Sequence, residues 1–196
     1  GQSYNDPDFV KAANCIKELV DMGAFIDGAT GLSNDEASAS FYAEQVPMYF
    51  TGSWMGGSIV TDAEKPDNFA VAPIPVVNSK NASVTDFMGG GSDTLMVSAN
   101  TKNKDLAAAA AFEITRGVSK HAYLSGAGIP AWTVDYDASS VPALTQQVAD
   151  IAGKATSYTL WFDTLMSSDD AGEYLTLLQS LFAGDLKPEE FAASMD

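Results

Sequence analysis

Three short runs of β-forming residues stand among a larger number of stretches with helical spacing, and that ratio limits what the chain can fold into. The first run, Val46-Pro47-Met48-Tyr49-Phe50-Thr51, ends at Gly52-Ser53-Trp54. The second covers residues 69–76, where Pro73 and Pro75 favour an edge strand or a strand end. The third, Thr94-Leu95-Met96-Val97-Ser98, follows the glycine run Gly89-Gly90-Gly91. Strands mixed with helices predict an α/β fold, but three strands are few for so many helices. Either further strands escape the pattern or part of the sheet lies outside the chain, and the abrupt start and finish favour the second.

The helices are easier to place. Asp6 can cap a first helix that Pro7 opens, with Phe9, Ala13, Ile16 and Val20 on one face and Gly23 as its stop. A shorter helix is expected from about Asp35 to Glu44, opened by Asn34, and another within 55–63. Residues 104–116 and 120–125 read as two helices, followed by a loop over 126–137. Residues 142–154, 170–183 and 188–195 complete the set, with Gly184 ending one helix and Pro188 opening the next. Asp169 and Asp170 are read as the cap and first-turn charge of the helix they precede.

Charge removes several function classes. The 196 residues carry 26 carboxylates against 10 Lys and Arg, a net charge of −16, which repels phosphate backbones and anionic headgroups. Nucleic-acid and membrane-surface partners are therefore not expected. No run of 18 apolar residues is present, so no segment is expected to insert in a membrane. Cys15 is the only cysteine and is expected as a buried inert thiol; cysteine usage leaves the compartment open.

Catalytic signatures are weak. His121 is the only histidine and sits on a helix with no nucleophile elbow anywhere in the chain. One His and one Cys far apart do not make a transition-metal site, so no metal or cofactor is expected. The run Gly89–Gly91 lacks the Gly-Lys-Ser/Thr ending of a phosphate loop and runs toward a β-rich stretch instead of a helix. It reads as a tight turn or a close approach of backbone to a ligand.

Aromatic residues carry the most information. Trp54 ends the first β-rich run, Trp132 lies in the 126–137 loop, and Trp161 lies in an aromatic stretch between helices, two residues before Asp163. A sugar ring offers a flat C–H face and a rim of hydroxyls, so its site needs an aromatic platform with carboxylates and amides beside it. The competing reading is that these rings plug the core.

Several segments, in order, resemble the second half of the extracellular solute-binding proteins of bacterial ABC sugar importers, the maltose-binding-protein-like group. Residues 41–54 are similar to its apolar strand followed by Gly-Ser-Trp, and Val71-Ala72-Pro73-Ile74-Pro75 to its Pro-x-Pro strand. Residues 89–107 resemble its glycine turn, crossover strand and alanine-rich helix. Gly128-Ile129-Pro130 and the run Gly184 to Glu190 are similar to its Gly-x-Pro loop and its C-terminal Pro-Glu-Glu helix start.

The resemblance implies a type II periplasmic-binding-protein-like α/β fold: a C-terminal lobe with the crossover segment of an N-terminal lobe that is otherwise absent. It divides the chain into 1–95 and 141–196 for the lobe and 96–140 for the crossover. It also implies a carbohydrate ligand, a membrane permease as partner, no catalysis, and an extracellular place, lipid-anchored or periplasmic. By the same analogy Trp54, with Ser53 beside it, stacks on the sugar, Trp161 adds a second ring and Asp163 accepts hydroxyls. Gly90, Gly91 and Asp93 then lie near a hinge crossover facing the cleft, and Trp132 is a further ligand contact. Half a cleft implies weak sugar binding and an exposed apolar patch around residues 104–116. The rivals are a carbohydrate-active enzyme with paired carboxylates, an adhesive domain without a small ligand, and a receptor for another solute.

Overall fold

The structure, a computed structural model, describes residues 3–89 and 93–196. Its elements among these residues are α1 (Pro7–Asp21), α2 (Asn34–Tyr42), α3 (Met55–Asp62), β1 (Asp86–Met88), α4 (Lys104–Ser125), α5 (Ala143–Ala152), β2 (Ser157–Thr159), α6 (Ser168–Ala183) and α7 (Pro188–Ser194). Two compact units result. One joins Gly1–Ser40 to Trp161–Asp196, and the other is Phe41–Leu160.

The first unit is helical. Asp6 caps α1 by accepting from the Asp8 amide, and Pro7 fills a position whose missing N–H costs nothing there. Ser167, not Asp169 or Asp170, caps α6 through the Asp170 amide, while both aspartates occupy its first turn. Ser33 and Glu36 cap the start of α2 reciprocally, the Ser33 amide donating to Glu36 at 2.8 Å. This Ser-x-x-Glu box lies one residue before the expected Asn34. Gly184 ends α6 at φ 83°, a left-handed conformation that favours glycine. The core joins Ala13 of α1, Leu181 of α6 and Phe191 of α7, with Phe9 stacked on Phe191 at 5.7 Å. Each fully buried Leu or Phe contributes roughly 1.5–3 kcal/mol by leaving water. Cys15 is only half-buried, because the α1 face that meets α6 and α7 is centred on Ala13.

In the second unit α3 packs on α5, with Met55, Ile59, Ala63 and Leu144 buried and Phe41, Tyr49 and Phe69 against them. Strands β1 and β2 pair in parallel, Phe87 opposite Tyr158. Asp86 bridges the pair: its carboxylate accepts from the Ser157 hydroxyl at 2.8 Å and from the Ser83 amide at 2.7 Å.

The three strands expected at 46–51, 69–76 and 94–98 do not form; none of these stretches pairs with a strand among the described residues. A β-prone sequence becomes a strand only where a neighbour supplies the ladder, and Pro47, Pro73 and Pro75 each remove a donor as well. Tyr49, Phe69 and Val71 still pack against the core, while other apolar side chains of these stretches stay in water, Met48 83% exposed and Met96 90%. The two strands that do form were invisible to an apolar pattern, because Asp86, Ser157 and Thr159 are polar. Residues 104–125 form one helix where two were expected, since Gly117 is tolerated inside a run of strong helix formers.

Candidate functional site

Trp54 stands immediately before α3, 53% exposed, and its indole lies back over Gly52. A Cβ on Gly52 would come within 2.6 Å of Cε3 and closer still to the next two ring carbons, so only glycine admits this ring position. Ser53 between them is half-buried. The helix that carries Trp54 is held by glycine contacts. The Gly57 amide donates to the Gly126 carbonyl at 2.9 Å, and a Cβ on Gly56 would overlap the Thr145 hydroxyl. Thr145 is fully buried on α5. Gly56, Gly57, Gly126 and Thr145 therefore position Trp54, and the sequence reading passed over all four. A Gly-Gly pair in the first turn of a helix was the available signal.

Trp161 and Asp163 lie at a tight helical turn, Phe162–Leu165, in the other unit. Trp161 is 40% exposed and its carbonyl accepts from the Thr164 amide at 3.0 Å; Asp163 is half-buried. The turn is anchored by Phe162, whose ring meets Tyr4, Phe9 and Tyr174 at 5.8, 5.7 and 5.2 Å. Burial raises the Tyr174 phenol above its ordinary value, and the negative charge of Asp163 adds to the effect. Phe162 is itself 44% exposed, so the turn is held by ring contacts at the edge of the core, and Trp161 beside it stays at the surface.

Trp132 lies in the loop after α4, 40% exposed, with Phe112 of α4 set edge-to-face against it at 4.9 Å. It borders a cleft of about 290 Å³ that Trp54 does not line. Asp93 is exposed, and the expected Gly90 and Gly91 fall outside the described residues. His121 is exposed on α4. No group of three His, Cys, Asp or Glu gathers at metal-binding range among the described residues. Trp54 and Ser53 are chain neighbours in the second unit, Trp161 and Asp163 lie two residues apart in the first, and Trp132 has surroundings of its own. All three tryptophans are exposed, which sets aside the core-plug reading.

Two exposed indoles, Trp54 and Trp161, stand at the starts of short helices in a helix-rich α/β chain. A family model of bacterial extracellular solute-binding proteins matches residues 1–112. The chain belongs to that family. A protein solved in work on xylan utilization by the thermophilic bacterium Caldanaerobius polysaccharolyticus is 31% identical at a TM-score of 0.87. The match covers 99% of this chain and 50% of that one. A chitin oligosaccharide binding protein matches at 22% identity and a TM-score of 0.82, over 99% and 49%, and bears on the fold alone. The chain spans about half the length of both solved structures. No curated protein sequence matches it. The fold expected from the motifs is the fold found, and the family is an extracellular one. No helix among the described residues is long and apolar enough to cross a membrane.

Proposed function

We propose that the chain is the oligosaccharide-contacting part of a solute-binding protein that delivers sugar to the membrane permease of an ABC importer. The observation that carries this reading is the exposure of Trp54 and Trp161, each beside a polar partner, in a chain of this family. A flat apolar ring with a hydroxyl or carboxylate at its edge matches the two faces of a pyranose. In the second unit Trp54 stacks on a sugar ring, Ser53 bonds its hydroxyls and Asp93 is a further contact; in the first unit Trp161 offers a ring and Asp163 a hydroxyl acceptor. Residues 96–140 serve as the crossover segment between lobes, and the protein works without catalysis, held outside the cytoplasm by a lipid anchor or in a periplasm.

Tryptophan fluorescence of the chain, titrated with mono- and oligosaccharides to high millimolar, tests the reading, with Trp54→Ala in parallel. A saturable change for some sugars, weakened in the variant, is expected. The same titration on a chain of the full length of the solved structures sharpens the affinity. Silence there for every sugar would sink the sugar-receptor reading.

A further inference from the structure

Trp132 does not share the surroundings of Trp54, although both belong to the second unit. Its cleft lies between α4 and the loop that follows that helix. Gly126 ends α4 in the left-handed conformation, φ 79°, and turns the chain back. The Ala131 amide donates to the Ser119 hydroxyl at 2.9 Å and fastens the loop to the helix one residue before Trp132. Phe112 braces the indole from α4. Tyr136 forms another wall, with the Lys120 ammonium 4.9 Å from its ring centre.

The charges in this cleft decide its ligand. Glu113 and Asp135 face Arg116 and Lys120, so the cleft carries no net charge in a chain of −16. Arg116 bonds Asp135 at 3.1 Å, yet both side chains are well exposed, and an ion pair in that setting is weak enough to exchange partners. Guanidinium and ammonium donors alternate with carboxylate acceptors around two aromatic walls. A ligand rich in hydroxyls can bond both kinds of group, whereas an anion meets Glu113 and Asp135 and a cation meets Arg116 and Lys120.

We propose that the cleft formed by Glu113, Arg116, Lys120, Trp132, Asp135 and Tyr136 is a second, separate saccharide subsite that takes one uncharged sugar residue. This rests on the sugar-binding reading above and adds a site that does not depend on Trp54. At about 290 Å³ the cleft suits a monosaccharide unit at the end of a chain or as a branch, not a long oligomer.

The chain labelled with 5-fluorotryptophan gives one fluorine resonance per indole, three in all, assigned by single Trp→Phe variants. Titration with neutral xylohexaose is expected to shift the Trp132 resonance saturably, and to do so equally in Trp54→Ala. Glu113→Gln, an exposed change that leaves the fold alone, is expected to weaken the Trp132 midpoint about 3–10-fold, the scale of one lost hydrogen bond. An acidic galacturonate oligomer is expected to leave Trp132 unmoved; a preference for it would overturn the proposal of a neutral ligand. A Trp54 resonance that titrates while Trp132 stays fixed overturns the second subsite and leaves the receptor reading intact. A Trp132 shift that disappears in Trp54→Ala makes the two indoles one site and overturns the proposal too. No shift at any indole overturns the second subsite, and the titration of the longer chain with the sugar panel then decides the receptor reading.

Discussion

The indole of Trp54 lies over Gly52, two residues earlier in the chain, at a separation that leaves no room for a Cβ. The Gly-Ser-Trp sequence is thus a piece of geometry: the glycine lets the ring fold back, and the helix that starts next fixes the backbone that carries it. Gly52→Ala pushes the ring off this position, since the three atoms nearest to a Cβ there all belong to the indole, and Gly52 is not part of the core cluster. The expected outcome is a 3–10-fold loss of saccharide affinity, about the 0.5–1.5 kcal/mol of an aromatic contact, with the unfolding midpoint nearly unchanged. Calorimetric titration beside a urea melt separates the two effects. Equal affinity in variant and parent would mean that the ring position has no bearing on binding.

Gly57 makes a contact of the opposite kind, on which stability depends. Its amide reaches the Gly126 carbonyl at 2.9 Å, and a Cβ on it would overlap the carbonyl oxygen of Ser125. Neither backbone can yield without opening the contact of α3 with the end of α4. Gly57→Ala is expected to destabilise the second unit by about 1–3 kcal/mol, the usual cost of overfilling a close contact. Lowered urea and thermal midpoints check it, with Gly117→Ala as a control. Gly117 has open space around it inside α4, where alanine is the better helix former.

Thr145 sets a subtler test. It is fully buried against Gly56 and Gly126, and its hydroxyl has no hydrogen-bond partner among the described residues. A hydroxyl buried in that state pays a desolvation cost with no return, so Thr145→Val, nearly the same shape, is expected to be neutral or stabilising by up to about 1 kcal/mol. A loss larger than 1 kcal/mol in chemical denaturation would show that the hydroxyl is satisfied in solution.

Acid acts at the strand pair through Asp86. Its carboxyl is held below the ordinary aspartate value, first by the Ser157 hydroxyl, then by the Ser83 amide, with burial opposing and Thr156 adding slightly. A pKa lower in the folded than in the unfolded chain gives stability that is present above the ordinary aspartate value of about 4 and lost as pH falls through the folded value. Protection factors of the Gly89 and Thr156 amides, which bond to Thr159 and Thr85, are expected to hold at pH 5 and to fall in stronger acid. Asp86→Asn removes the pH dependence. A carboxyl carbon of Asp86 that titrates at or above the ordinary value would contradict this account.

Local signals were the legible part of this fold. Asp6 with Pro7, Gly184 with Pro188, and the apolar spacing of α1 and α6 act within a turn or two of helix, so the sequence carries them directly. Strands were misread because pairing is not a local property. Val46–Thr51 has the better β composition, yet Ser157–Thr159 is the strand, because Asp86–Met88 lies beside it. At the candidate sites, the tryptophans were legible as residues at element ends. Their supports were not, since Gly126, Thr145 and Phe162 act through contacts made far along the chain.

The same absence of partners leads to the last prediction. Helix α4 runs for 22 residues without one buried side chain. Ile114 and Val118, one turn apart and so on one face, are both more than half exposed, and neither lines the Trp132 cleft. Leu95 and Met96, ahead of the helix, are exposed as well. Soluble proteins rarely leave so much apolar surface in water without an interaction that uses it. The chain alone is therefore expected to bind a hydrophobic dye and to gain mass with concentration in sedimentation, despite its charge of −16. Ile114→Lys with Val118→Lys lowers both signals and leaves helix content unchanged, because lysine is as good a helix former as the residues it replaces. A monodisperse monomer that binds no dye would mean that α4 is covered in solution by some other part of the chain, and that its exposed face has no bearing on assembly.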